Sequence, residues 1–295
     1  MRNIDENTIT QAVIGSLANC TDARRRTILT SLVQHLHDFA REVGLTEAEW
    51  FDGIQFLADA GHMTDDKRQE FILLSDTLGL SMLVMAQNNK RPSGCTESTV
   101  FGPFYVEGAP LVANGGDIAN GASGEPCFVR GTVSCLDGTP VAGAQIDVWQ
   151  SDAEGLYDVQ YAGAHTDHRA RARIHARADG SFDFRSVVAV PYAIPDDGPV
   201  GRMLESAGRH PWRPAHLHFM IDAPGCQRLI THVFRSDSPY LDSDAVFGVR
   251  SSLVRDWVRH APGTAPDGSV LPVPFYTLEC SFVLERSHLD GPLRL

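Results

Sequence analysis

In Arg213-Pro214-Ala215-His216-Leu217-His218-Phe219-Met220-Ile221, apolar and polar side chains alternate behind a proline, which is the pattern of a β-strand. Successive strand side chains point to opposite faces. His216 and His218 therefore share one face, and Leu217, Phe219 and Ile221 share the other. Two neutral imidazoles side by side offer two nitrogen lone pairs to a metal ion. The plainer reading is a chance pair on a half-exposed strand, and spacing alone leaves both open. His35-Leu36-His37 serves as a control, because in its helical pattern positions i and i+2 diverge, so that pair reads as solvated helix surface.

Outward from that strand, the second half of the chain looks all-β. The segments Phe128 to Ser134, Gln145 to Gln150, Ser181 to Pro191, Ala215 to Ile221 and Leu229 to Arg235 are short and rich in Val, Ile and Phe. Asp137-Gly138, Asp179-Gly180 and Pro224-Gly225 supply turns between them. Segments around Leu253 to Val258 and Tyr276 to Leu284 complete an expected sandwich, although the Leu253 segment also fits a short helix.

Toward the N-terminus the period changes to that of helices. The first starts near Asn7 or Thr8, and the second runs from Asp22 to Val43 with Ile28, Leu29, Leu32, Val33, Leu36, Phe39, Ala40 and Val43 on one stripe. A third opens on the Thr46/Glu49 capping box and ends at Gly61; a fourth runs from about Asp65 with a break near Gly79. Asn88 to Gly94 forms a polar hinge. The expected architecture is α+β: a helical dimerisation and linker domain over residues 1–95, then an antiparallel β-sandwich catalytic domain over 96–295. So many apolar helical faces need a partner, and a homodimer built on them is expected.

Composition narrows the function. A formal net charge of −12 repels nucleic-acid phosphates and anionic membranes over most of the surface. The six cysteines, Cys20, Cys95, Cys127, Cys135, Cys226 and Cys280, form no Cys-x-x-Cys pair, so neither a zinc knuckle nor a disulfide framework is indicated. Phe71 to Ala86, the most apolar helical stretch, is interrupted by Ser75, Asp76 and Ser81, which argues against a transmembrane segment. The first residues lack the apolar core of a signal peptide, and a cytoplasmic location is expected.

Two histidines underligand a metal. Tyr157 and Tyr192 each lie just past an expected strand, where loop-borne site residues gather, although a half-buried rim tyrosine is the commoner role for such a ring. Glu97-Ser98-Thr99-Val100-Phe101-Gly102-Pro103-Phe104-Tyr105, Gly155-Leu156-Tyr157, Pro191-Tyr192 and Arg213-Pro214-Ala215-His216-Leu217-His218 resemble, in this order, the intradiol ring-cleavage dioxygenases. The helical region resembles the dimer-forming part of the catechol 1,2-dioxygenase group, which would also allow a lipid at the dimer interface. The resemblance implies non-haem Fe(III), one per subunit, with Tyr157, Tyr192, His216 and His218 as protein ligands, and an aromatic ortho-diol and dioxygen as substrates. It makes Tyr192 the ligand that leaves as the diol binds and takes a substrate proton, and Arg213 the active-site arginine that stabilises negative charge on the ring. Hard ferric iron favours anionic oxygen, which suits tyrosinate.

The pocket set Leu73, Asp76, Val100, Phe101, Gly102, Pro103, Phe104, Ile194, Pro195 and Val246, with Arg213, resembles the hydroxyquinol 1,2-dioxygenase branch. Asp76 sits in an apolar helix segment, where a carboxylate facing a pocket needs a donor such as a third ring hydroxyl; an exposed helix position is the plainer alternative. His232 stands where catechol-cleaving relatives usually have glutamine, and is expected to meet a ligand or substrate, or else to be a simple strand histidine. Catechol or chlorocatechol cleavage is the nearest alternative. A non-catalytic sandwich binding module, or a zinc or copper hydrolase using His165 or His168 with the strand pair, represents other classes. In the last, Ala164 to Arg177, with its many arginines, reads as a solvated loop.

Overall fold

The computed structural model describes residues 3–65, 68–161 and 168–287. His165 lies outside the described residues. Two compact units emerge, Met1–Asp59 and Ala60–Leu295.

In the first unit, α1 (Ile9–Ser16) precedes α2 (Ala23–Glu42), and α3 (Glu47–Met63) begins there. The Asp22 side chain accepts from the Arg25 N–H and starts α2. Thr46 and Glu49 close the expected capping box: the Thr46 N–H donates to Glu49 Oε2 at 2.9 Å, and the Glu49 N–H to Thr46 Oγ1 at 3.3 Å. Arg41 donates to Thr10 Oγ1 at 2.6 Å, and His37 Nδ1 lies 2.9 Å from the same oxygen. His37 is thus half-buried against α1, a correction to its reading as solvated surface, whereas His35 is exposed.

In the second unit, α4 (Glu70–Thr77) and α5 (Leu80–Asn88) are separated by Gly79, whose φ of +74° is the left-handed conformation that ends one helix and redirects the chain. Among the described residues no single helix is long and apolar enough to cross a membrane; only α4 and α5 together, bent by 77°, reach that length and composition. Beyond them lie β1 (Pro126–Cys135), β2 (Gln145–Trp149), β3 (Arg171–His175), β4 (Ser181–Val187) and β5 (Tyr192–Ala193). They are followed by α6 (Pro199–Ser206), β6 (Trp212–Arg213), β7 (His216–Asp222), β8 (Leu229–Arg235), β9 (Val254–Arg255), β10 (Trp257–His260), β11 (Gly263–Thr264), β12 (Val270–Leu271) and β13 (Phe275–Leu284). α6 has no counterpart in the sequence expectations. It starts on Pro199, and its Val200 N–H donates to the buried Glu70 carboxylate of α4 at 3.0 Å.

The expected sandwich is present as two sheets, β10-β13-β1-β4 and β3-β2-β7-β8-β9. Most pairings are antiparallel; β1 with β13 and β8 with β9 are parallel, as strands distant in the chain are free to be. Leu217, Phe219 and Ile221 of β7 enter the core between the sheets with Val148, Ile174, Phe182, Leu278 and Phe282. Each such large side chain contributes about 1.5–3 kcal/mol by leaving water. The opposite face of β7 therefore carries His216 and His218 away from that core, with His218 in register with His232 of β8 and Trp149 of β2.

The stretch expected as a solvated loop contains β3, paired with β2, and its Arg171 is buried. That burial is stabilised by a two-pronged ion pair with Asp158. The strand expected from Ser181 to Pro191 stops at Val187. The Leu253 segment divides into a 3₁₀ turn (Ser251–Leu253), then β9 and β10 in different sheets.

Candidate metal centre

β7 presents the two imidazoles, and backbone chemistry fixes the first. His216 Nδ1 lies 2.6 Å from the Pro214 carbonyl oxygen, a geometry that requires Nδ1 to carry the proton and leaves a lone pair on Nε2. That Nε2 is 3.1 Å from His218 Nε2, which in turn is 2.8 Å from the Tyr157 hydroxyl. Tyr192 completes the corner, its ring 5.4 Å from Tyr157 and 5.6 Å from His216 between centroids. All four side chains are buried.

Loops deliver the tyrosines, and each is anchored. Tyr157 opens a 3₁₀ turn (Asp158–Gln160), its N–H donating to Gln160 Oε1 at 2.9 Å, while Asp158 is tied to Arg171 of β3. Phe104 stacks on the Tyr157 ring at 4.4 Å, and Trp149 on His218 at 4.8 Å. Gly102 lets the preceding loop close over the site: at its φ of +77°, an added Cβ would come 3.1 Å from His218 Cε1.

Electrostatics keep the imidazoles in their ligand form. Burial, with the nearby Arg213 charge, lowers the His216 pKa to about 3. Burial also pushes His218 and His232 well below the usual histidine value, with neighbouring imidazoles and Arg213 adding to it. Burial and the adjacent Tyr192 push the Tyr157 phenol well above its ordinary value, so ionisation to tyrosinate there requires a cation at the same place.

Three observations fit a metal. His218 Nδ1 and both nitrogens of His232 are buried without a hydrogen-bond partner. Ligand atoms of His216, His218 and His232 lie within 4.8 Å of one another, the group of this kind found among the described residues. The His216 and His218 lone pairs converge beside a phenolic oxygen, a mixed N/O donor set. His232, expected as a ligand or substrate contact, therefore lies within the cluster itself, its ring 4.2 Å from that of His218.

Arg213 lines the same space. Its Nη1 is 3.4 Å from both the Tyr192 hydroxyl and His216 Nε2, and its Nε and Nη2 donate to the two Asp244 oxygens at 3.0 and 3.2 Å. Burial works against the charge on Arg213, but Asp244 more than offsets it and holds the guanidinium cationic. Asp244 also accepts from the Val246 and Gly248 N–H groups at 3.3 and 2.9 Å. Sequence reading missed Asp244: it lies in an irregular loop with no periodicity, and an acidic residue near the arginine in space but 31 residues away gives no signal.

Of the expected pocket residues, Asp76 is buried and feels both Arg213 and Asp244; burial raises its pKa, against a hydrogen bond from Ser81. Val100 approaches Gly248 beside Arg213, and Val246 follows Asp244. Gly102 and Phe104 pack on His218 and Tyr157. Phe101 packs against Tyr105 and the edge of Trp149, lining a neighbouring groove with Asp147 and Arg228. Leu73 and Ile194 are buried, Pro195 is half-buried and Pro103 is exposed. His168 faces Asp158 at 3.9 Å and is not part of the imidazole cluster.

A sandwich whose central strand presents paired imidazoles to two buried phenols beside a fixed guanidinium is the frame of one class of oxygen-using enzyme. Residues 100–284 match the family described as Dioxygenase and residues 22–96 that described as Catechol dioxygenase N terminus; the chain belongs to the intradiol ring-cleavage dioxygenases, a family of non-haem iron oxidoreductases. Within that family it is 59% identical to the 6-chlorohydroxyquinol 1,2-dioxygenase of Cupriavidus pinatubonensis, over 96% of this chain and 99% of the relative. It is 49% identical to the hydroxyquinol 1,2-dioxygenase of Nocardioides simplex, over 95% of each. The crystal structure of hydroxyquinol 1,2-dioxygenase from Pseudomonas putida superposes with a TM-score of 0.87 at 47% identity, covering 96% of this chain and 99% of that one.

Proposed function

We propose that this protein is an Fe(III)-dependent dioxygenase that opens hydroxyquinol (1,2,4-trihydroxybenzene) between its adjacent hydroxylated carbons, giving 3-hydroxy-cis,cis-muconate, which tautomerises to maleylacetate. The observation that carries this reading is the meeting of buried donors at His218 Nε2, which lies 3.1 Å from His216 Nε2 and 2.8 Å from the Tyr157 hydroxyl, with Tyr192 alongside. Tyr157, Tyr192, His216 and His218 would hold one ferric ion per subunit, which supplies the charge that binds a diol as its dianion and makes the ring reactive toward dioxygen.

The chain's own groups do the rest. Tyr192, 3.4 Å from Arg213 Nη1, is the base that takes a proton from the entering diol. Arg213, held by Asp244, places fixed positive charge where negative charge develops on the ring during oxygen attack. Phe104 and Trp149 wall the site with aromatic surface and exclude water. Asp76, buried near Arg213, accepts from the third ring hydroxyl, which sets the preference over catechol; Leu73, Val100, Phe101, Gly102, Pro103, Ile194, Pro195, His232 and Val246 complete the substrate surroundings in this reading. The chain functions as a homodimer through residues 1–95, where the family resemblance admits a lipid, with residues 96–295 as the catalytic part. A cytoplasmic setting belongs to the same reading.

Oxygen uptake with hydroxyquinol and catechol side by side, with product identification, tests it. Hydroxyquinol should turn over faster and yield maleylacetate. Faster turnover of plain or chlorinated catechol would move the protein to that branch. The purified protein should also be red from tyrosinate-to-iron charge transfer, and a colourless, metal-free protein would favour a binding module.

A further inference from the structure

A cavity of about 730 Å³ lies apart from the imidazole cluster, between the stretch that follows α5 and the β8–β9 edge of the sandwich. In a chain of net charge −12, its lining holds Lys90, Arg91, Arg250 and Arg255 against a single carboxylate, Glu97, which is itself hydrogen-bonded to Ser252. Arg91 is committed only in part: Nε donates to Ser98 Oγ at 3.2 Å and Nη2 to the Arg228 carbonyl at 2.5 Å, while Nη1 is buried without a partner. Glu285 adds a second negative charge near Arg91, yet burial still pulls the arginine below its ordinary pKa, a cation short of compensation. Arg255 Nη1 is spent on the Ser252 and Val254 carbonyls at 2.8 Å, and its positive charge remains.

The cations come from two separate stretches, 90–91 and 250–255, and Met85, Val233, Leu253 and Phe282 supply apolar surface in the same cavity. An anion with two charged ends and an apolar spacer suits that distribution; a single compact ion would engage one stretch and leave the rest of the volume unused. We propose that this cavity is a second binding site, distinct from the metal centre, for a small dicarboxylate of the kind that ring opening releases. The product identity rests on the function proposed above: cleavage between two hydroxylated ring carbons leaves two carboxylates joined by a four-carbon unsaturated spacer. Val233 links the two places, lining this cavity from β8 while its neighbour His232 faces the metal centre.

The test uses the iron-loaded protein, saturated anaerobically with hydroxyquinol so that the metal centre is filled and no turnover occurs, and titrated calorimetrically with cis,cis-muconate. The expected result is saturable binding that persists in the presence of the diol and weakens about tenfold in the double variant Lys90→Gln/Arg250→Gln, whose residues touch none of the catalytic groups. Raising the salt concentration should weaken wild-type binding more than that of the variant. Loss of muconate binding when the diol saturates, or equal affinity in the double variant, would overturn the proposal. So would inorganic phosphate binding as tightly as muconate, or binding only to vesicles of anionic phospholipid. Failure of the diol itself to bind the iron-loaded protein would count instead against the function proposed above, and is read separately from the muconate titration.

Discussion

The sandwich and the N-terminal helices treat apolar side chains in opposite ways. Leu217, Phe219 and Ile221 of β7 are sealed completely, because the second sheet comes from the same chain. The stripe on α2, Ile28, Leu32, Leu36, Phe39 and Val43, is 49–56% exposed, although its spacing is as regular as that of the strand. Period shows which face wants burial; where the covering layer comes from is a separate matter. The sandwich finds its layer within the chain and can hold buried imidazoles on the far side of a finished core. The helices present a face larger than a lone chain ordinarily leaves in water, which is the ground for expecting a second copy there.

The contrast can be broken at several points. His218→Ala should have the largest effect, removing a donor from a site that is otherwise preserved: iron content should fall below about a tenth and activity by about a thousandfold, some 4 kcal/mol, with the β-sheet circular dichroism unchanged. Full iron loading in that variant would detach the imidazole cluster from the metal. Arg213→Ala should lower kcat about a hundredfold while iron content holds, and Asp244→Asn should produce a smaller loss in the same direction, about tenfold, because the guanidinium keeps its place but loses its counter-charge. Equal loss of iron and turnover in Arg213→Ala would contradict its role.

On the helical side, Leu36→Asp should raise the dimer dissociation constant about fiftyfold in sedimentation and leave kcat per iron nearly unchanged. A wild-type chain that sediments as a monomer at micromolar concentration would remove the need for a second copy altogether. Asp76→Ala is expected to lower the kcat/KM preference for hydroxyquinol over catechol about tenfold, with little effect on catechol itself.

The smallest effect belongs to the outside of the sandwich. The Thr139 N–H donates to Asp137 at 2.9 Å, and this bond, with the Thr139 side chain and Arg286, lowers the carboxyl pKa from an ordinary 3.8 to about 2. A carboxyl depressed in the folded state contributes stability that is present above pH 3.8 and is lost as pH falls toward 2. Asp137→Asn should therefore flatten the decline in melting temperature across that window, and an unchanged slope would show the contact to be energetically silent.

The sequence made the paired histidines legible because a strand has only two faces, so a spacing of two fixes direction. The tyrosines were legible only through resemblance, since loops carry no period; what locks Tyr157 is a turn and an ion pair to a strand that the sequence concealed. That strand, Arg171–His175, reads as solvent-facing because it is rich in arginine, and the partner that makes burial of Arg171 tolerable, Asp158, is 13 residues away. Asp244 escaped for the same reason: a buried ion pair is visible only when both members are placed in space. His37 shows the converse, a polar residue withdrawn from water by one contact from another helix.

The Pro214 carbonyl that grips His216 Nδ1 has a practical bearing on attempts to transplant this centre. A designer who copies only the alternating histidines onto another sheet moves the side chains but leaves behind the backbone oxygen that decides which ring nitrogen is bare. Such a graft would present a mixture of tautomers, some of them with an N–H aimed at the intended ion. The smallest portable unit thus begins two residues before the first imidazole.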